Sequence, residues 1–207
     1  MYNVGILESY RQKRFSFFQW QRQSSLTAKI VMAFSMAAVT GLLAQVKFYL
    51  PFTPVPIVAT QLGVILAAVL LGRNWGGLSM IIYALGGFAG IPWFADLNGG
   101  LAALTGPTTG YIIGFILAAF FMGHLYDTQV EKRRTLSVTG IIIFAQLVLV
   151  YVPGLIYLAF WLKLVSGQTI SLASVLLMGY VPFIFIDILK SLVGATVAKA
   201  LLPMEEY

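Results

Sequence analysis

Asp187 and Lys190 lie three residues apart within 182–202, a stretch otherwise apolar enough to dissolve in lipid. An ionised side chain near the bilayer centre costs roughly 2.5 to 3.5 kcal/mol on insertion scales, so an acid and a base together require a reason. On a helix, positions i and i+3 share a face. That face must look into a protein interior or a hydrated cavity. A carboxylate offers only acceptors and an ammonium only donors, so a cavity holding both can grip a polar solute. Mutual neutralisation that ties helices together is the plainer reading of the same pair. Intramembrane ionisable groups favour the binding role.

Gln61, near the start of another apolar stretch, reads either as a ligand contact or as a helix-to-helix hydrogen bond, the commoner fate of such a residue. His124 and Asp127 sit where a span meets water, and a lone interfacial histidine is more often structural than catalytic. The chain has no cysteine, one histidine and seven Asp+Glu. Thiolate nucleophiles, disulfides and Cys-ligated metals are therefore excluded, and no metal site is expected. No G-x-x-x-x-G-K-[ST] loop is present, so no nucleotide site or other cofactor belongs to this chain, and active transport would need a partner that hydrolyses nucleotide. The inventory suits capture of a small, flat, partly apolar molecule with polar ends rather than catalysis.

The elements that position these residues follow from composition. Of 207 residues, 59% are hydrophobic and 10% charged, with a mean hydropathy of +0.89. This is an integral membrane protein, all-α, with room for about six spans of about 20 residues and no soluble domain. Residues 1–25, with Arg11, Lys13, Arg14 and Arg22, form a basic N-terminal segment expected to lie on the cytoplasmic surface without a removed signal. Residues 26–207 form the six-helix membrane domain. Spans are expected at 26–44, 57–71, 76–90, 111–124, 138–162 and 182–202, with the short SLASVLLMGY segment as an interfacial cap. Pro153 and Gly154 interrupt the fifth span, and a proline there frees a backbone carbonyl and permits a kink, though plain helix packing serves equally well.

The first span carries Ala33, Ala37 and Gly41 at four-residue intervals. Such a stripe serves either internal packing or docking of a partner membrane protein. The basic cytoplasmic surface is a second candidate docking feature. Between the first two spans, QVKFYLPFTPVP has three prolines in six residues, which forbids helix and stiffens an extended wall. Eleven of the 20 glycines fall between residues 72 and 114, so this third must mix close helix packing, as in G86xxxG90 and G110xxxG114, with irregular backbone. With both termini cytoplasmic, ten Lys and Arg lie inside and only Lys47 and Lys163 outside. Topology thus accounts for the +6 net charge, and nucleic acid is not needed to explain it.

The strings LPFTPVPI (50–57), QLGVILAAVLLG (61–72), YALGGFAGIPWFA (83–95), GGLAALTGPTTGYIIGF (99–115) and PFIFIDILK (182–190) resemble the BioY family, the biotin-specific S components of energy-coupling factor transporters. The resemblance runs from about Lys29 to Leu202. It implies a six-helix S-component bundle in the plasma membrane, binding biotin from outside. It also implies service by a transmembrane energy-coupling subunit and a pair of cytoplasmic ATPases. The Ala33, Ala37 and Gly41 stripe is similar to the family's docking motif for the coupling subunit.

Biotin offers two ureido N–H donors and a carbonyl, an apolar ring and chain, and a terminal carboxylate. The resemblance implies that Asp187 accepts ureido N–H bonds or that Lys190 pairs with the carboxylate. Asn98 and Tyr111 would add polar contacts, and Trp93 would cover the rings. Phe185 and Ile186 stand where the family usually has Pro-Gly, Thr60-Gln61 where Gln-Thr is expected, and Thr109 where Gly is common. Lys47 is also unusual and would add a positive group near an anionic tail. An S component or solitary transporter for another vitamin is the first alternative, and a structural membrane subunit with no ligand is the second.

Overall fold

The computed structural model describes residues 2–167 and 170–204. The helices are α1 (Tyr2–Gln23), α2 (Leu26–Ala44), α3 (Thr60–Phe88), α4 (Leu101–Leu104), α5 (Thr109–Thr128), α6 (Thr135–Phe144), α7 (Tyr151–Ser166), α8 (Leu172–Gly179) and α9 (Ile184–Leu201). Two short strands, β1 (Lys47–Phe48) and β2 (Ile57–Val58), pair antiparallel. Five stretches are long and apolar enough to cross a membrane: Leu26–Ala44, Thr60–Phe88, Thr109–Thr128, Thr135–Val165 and Leu172–Leu201.

The longest single helix, α3, is not a straight rod. Gly72 has φ +70° and ψ −166°, outside helical geometry. A Cβ on Gly76 would stand 2.5 Å from the carbonyl oxygen of Ala67, whereas nine residues of straight helix would separate them by about 13 Å. The chain therefore doubles back at Gly72, and residues 60–71 and 73–88 pack against each other as a helical hairpin. Asp127 closes the turn. Its carboxylate accepts the Arg73 N–H at 2.8 Å and pairs with Arg22 at 2.8 Å. It thus caps one of the unpaired donors at the start of the second arm.

At this end of the bundle α1 is strapped across the helix termini. The Tyr10 hydroxyl donates to the Ala200 carbonyl at 2.6 Å and Arg14 to the same oxygen at 3.0 Å, capping α9. The fully buried Arg133 donates to the carbonyls of Tyr126 and Pro203 at 2.9 and 3.0 Å, pinning the end of α5 to the chain beyond α9.

Two expectations need correction, and the proline-interrupted span gains a detail. The helix expected from residue 57 begins at Thr60, because Ile57 and Val58 are drawn into the ribbon with Phe48 and Lys47. In the fifth span, where Pro153 permits a kink, a π-helical turn, Ala145–Leu149, joins α6 to α7. Proline lacks an N–H, so the carbonyl of Leu149 has no i+4 donor, and the wider turn just before it absorbs that loss. Finally, Ala33, Ala37 and Gly41 do not form an outward docking face: all three are buried. A Cβ on Gly41 would lie 2.5 Å from that of Trp93, and one on Gly63 of α3 would lie 2.7 Å from the Thr40 hydroxyl. The stripe is consumed by close internal packing, and α2 turns Ile30, Phe34 and Leu42 outward instead.

On α5, Gly110 and Gly114 face the backbone of 149–154, and Gly123 faces the backbone of Gly72 and Arg73. Absent side chains let three elements meet backbone to backbone. This brings Tyr111 of α5 and Tyr151 of α7 together, with ring centroids 5.6 Å apart and planes at 90°.

Candidate functional site

Under the proline loop lies a cavity of about 610 Å³, its open mouth included, walled by α3, α5, α7 and α9. Its polar end is built from four side chains. Asp187, in the first turn of α9, is 2% exposed. Its Oδ2 accepts the Gln61 amide at 2.8 Å and the Tyr151 hydroxyl, and its Oδ1 pairs with Lys190. Lys190 also donates to Gln61 Oε1 and, at 3.0 Å, to the carbonyl of Val58.

Each element contributes for a local reason. The extended backbone of β2 leaves the Val58 carbonyl without a helical partner and turned to Lys190. Gln61 sits in the first turn of α3 and uses both ends of its amide, donating to the acid and accepting from the base. It therefore joins α3 to α9 and also lines the cavity. Burying an ion pair is costly unless its remaining donors and acceptors are met, and here Tyr151 and Gln61 donate to Oδ2 of the acid while Gln61 and Val58 accept from the base, leaving Oδ1 to the ion pair alone. The rest of the wall is mainly apolar, with aromatic faces from Tyr83, Phe94, Tyr111, Phe115, Tyr151 and Phe183 beside aliphatic residues such as Val55, Ile57 and Ile112. A cavity with flat aromatic sides and one charged, hydrogen-bonding end takes a flat molecule by its faces and holds it by a polar group.

Of the residues expected here from the sequence, Gln61, Tyr111, Asp187 and Lys190 share this cavity. Tyr111 is oriented by its hydroxyl, which donates to the Gly179 carbonyl at 2.8 Å. Trp93 and Asn98 do not line it. The Trp93 indole donates to the Tyr83 carbonyl at 2.8 Å, and its ring wedges between Phe34 and Tyr83 over Gly41 and Gly86. Asn98 is exposed, bridges back to Phe94 through the main chain, and accepts the Gly99 N–H at 2.8 Å on its side chain. Phe94 and Ala95 reach the cavity in their place.

Tyr151, Tyr83 and Thr60 were missed from the sequence. A tyrosine in an apolar span is a usable signal, since a buried hydroxyl needs a partner. Which of the chain's ten tyrosines face the cavity was not readable.

A BioY family model matches residues 12–206. The chain belongs to the BioY family. It is 43% identical over 142 residues to the probable biotin transporter BioY of Methanothermobacter thermautotrophicus, a match covering 69% of this chain and 90% of the relative. It is 34% identical over 156 residues to the biotin transporter BioY of Thermotoga maritima, covering 75% and 86% respectively. The fold is that of the crystallised S-component for biotin from an ECF-type ABC transporter, with TM-score 0.73 and 24% identity over 84% of this chain and 90% of that one. Like other BioY proteins it is a multi-pass plasma-membrane protein, consistent with its apolar helices.

In this BioY chain the cavity mouth is held by a latch between two loops. Lys47 and Tyr49, on and beside β1, both bind the Asp96 carboxylate. Asp96 and Leu97 both have left-handed backbone, at φ 66° and 52°, a conformation that costs energy outside glycine and persists only where neighbours enforce it. Gln45 supplies further enforcement, donating to the Phe94 carbonyl at 3.0 Å and accepting the Leu97 N–H at 3.1 Å. The turn thereby aims Phe94 inward. Lys47 was expected to supply positive charge for an anionic tail, but its charge is engaged by Asp96.

Hydrogen bonds from Lys47, foremost, and from Tyr49 hold the Asp96 carboxyl below its usual range. Burial, then the Asp96 hydrogen bond and charge, pushes the Tyr49 hydroxyl up to about 12. A carboxyl whose folded pKa is depressed contributes its full stabilisation above the unfolded value of about 4, and loses it as pH falls through the lower folded value. Protection of the Leu97 amide against hydrogen exchange, corrected for intrinsic rate, should therefore stay flat between about pH 5 and 9 and fall only in stronger acid. Asp96→Ala should lower it several-fold at neutral pH. Unchanged protection in that variant would show that Gln45 alone sustains the turn.

Proposed function

We propose that this chain is the biotin-capturing membrane subunit of an energy-coupling factor transporter, taking biotin from the outer side and delivering it inward. The observation that carries the reading is the polar end formed by Asp187, Lys190, Gln61 and Tyr151 in a cavity otherwise lined mainly by aromatic and aliphatic side chains, in a chain of the BioY family. Biotin matches it group for group. Its fused rings fit between aromatic faces, its apolar chain needs no partner, and its two polar ends offer N–H donors for Asp187 or a carboxylate for Lys190. Nothing in this requires a covalent step, so the chain acts by binding and not as an enzyme. Tyr111 orders the aromatic wall. Trp93 and Asn98 act at one remove, by shaping the loop that presents Phe94.

Six membrane helices are supported by the doubling back of α3 at Gly72, which makes two segments of one apolar stretch. Cytoplasmic placement of α1 and of both termini is supported by charge. Arg22, Arg73, Arg133 and Lys199 gather at the end where α1 is strapped, as positive-inside topology requires, while Lys47 lies at the other end with the cavity mouth. Residues 1–25 thus act as a basic surface segment on a six-helix domain. With no phosphate-binding loop in the chain, energy must come from a coupling subunit and a cytoplasmic ATPase pair. Their docking surface lies elsewhere than the internal Ala33, Ala37 and Gly41 stripe.

Equilibrium binding of labelled biotin, thiamine, riboflavin and niacin to the purified protein in detergent tests the reading. Saturable retention of biotin alone is expected. Tighter binding of another vitamin would reassign the substrate, and retention of none would make the chain a structural subunit.

A further inference from the structure

At the end of the bundle opposite the mouth described above, a second cavity of about 550 Å³, its open side included, lies between α1, the start of α2, the Gly72 turn and the end of α5. Its lining is polar where the turn meets α1. Gln21 is only 5% exposed, lines the cavity, and its side chain has no hydrogen-bond partner among the described residues. Lys29 directs one donor to the Arg22 carbonyl at 2.7 Å, and an ammonium carries three. Arg22 itself pairs with Asp127.

Among the described lining residues there are two cations and one carboxylate, and Asp127 engages Arg22 rather than Lys29. Asn74 and Trp75, in the first turn of the returning arm of α3, also face it. Helix starts carry unpaired N–H groups and partial positive charge, which favour anions. Phe18 and Leu70 beside them offer an apolar flank.

We propose that this cavity binds a phosphate-bearing monoanion, with Lys29 and Gln21 as its side-chain donors above the helix start at Asn74. A largely buried amide that opens only into a basic recess offers its N–H donors to an acceptor there, and the Lys29 ammonium supplies the charge that a phosphodiester monoanion matches. The same chemistry is offered by the headgroup of an anionic phospholipid and by free phosphate.

Delipidated protein in detergent, titrated with phosphatidylglycerol, phosphatidylcholine or inorganic phosphate and read by native mass spectrometry and thermal shift, separates these. Gln21→Leu and Lys29→Met serve as variants, both remote from the biotin cavity, so unaltered biotin retention certifies their folds. Selective phosphatidylglycerol adducts, weakened by roughly tenfold in each variant, the size of one charge-assisted hydrogen bond, support the site with a lipid source. Stabilisation by inorganic phosphate alone, lost in the variants, supports it with a free-ion source. Equal adducts of both lipids without a phosphate effect, or selective binding that survives both substitutions, would overturn it.

Discussion

Lys190→Ala is expected to abolish biotin retention and to lower stability by about 3 to 5 kcal/mol, because it leaves the Asp187 carboxylate buried without its cation. Asp187 is 2% exposed, so water cannot take over the role of the ammonium. Asp187→Asn should lose biotin just as fully yet destabilise less. It keeps the side-chain shape and leaves Lys190 on the oxygens of Val58 and Gln61. The double variant Asp187→Asn/Lys190→Met removes both charges, and most of the stability should return while biotin retention does not. Thermal unfolding in detergent and retention of labelled biotin read the two properties separately. Full retention in both single variants would remove the pair from the binding site and leave it a purely structural tie.

Gly114→Ala carries the second large effect, and it acts through the backbone. The added Cβ would lie 2.6 Å from both the Cα and the carbonyl oxygen of Val150. Main-chain atoms cannot swing aside as a side-chain tip can, so α5 must move off the α6 to α7 junction. Overpacking of this kind costs about 1 to 3 kcal/mol. The same movement parts Tyr111 from Tyr151, whose edge-on contact forms the cavity wall, so biotin should dissociate faster as well.

Two companion substitutions locate the effect. Gly123→Ala meets the backbone of Gly72 and Arg73 at 2.6 to 2.7 Å, far from the cavity, and should destabilise while largely sparing biotin affinity. A Cβ on Gly140 of α6 meets nothing within 4 Å, so Gly140→Ala should be neutral or stabilising by up to about 1 kcal/mol through helix propensity. If Gly114→Ala behaved like Gly140→Ala, the backbone contact between α5 and the π turn would not be limiting.

These two cases also mark how far the chain could be read before its fold was known. The Asp187 and Lys190 pair stood out because spacing alone puts i and i+3 on one helix face, and membrane energetics forbid that face to meet lipid. Gln61 and Tyr111 were legible as polar groups in apolar spans, and both stand in the same cavity as the pair. The G110xxxG114 motif announced a close approach. It did not say what would approach, since any backbone can occupy the space a missing side chain leaves. The Ala33, Ala37 and Gly41 stripe shows the same limit. Its spacing was equally compatible with a partner protein, and the neighbour proved to be α3 with the Trp93 loop.

What the amino-acid order determined by itself was therefore the class of molecule, its all-helical membrane character and the acid and base on one face of the last helix. All of these follow from local periodicity and from the cost of moving charge into lipid. Tertiary structure decided which neighbours the helix faces meet. Phe94 enters the cavity and Trp93 does not because Asp96 and Leu97 adopt left-handed backbone, held by Lys47, Tyr49 and Gln45 from about fifty residues away in the chain. Tyr151 reaches Asp187 from beyond a π turn that shifts the helical register ahead of it. Both outcomes rest on contacts between distant segments, and a periodicity confined to one segment carries no record of them.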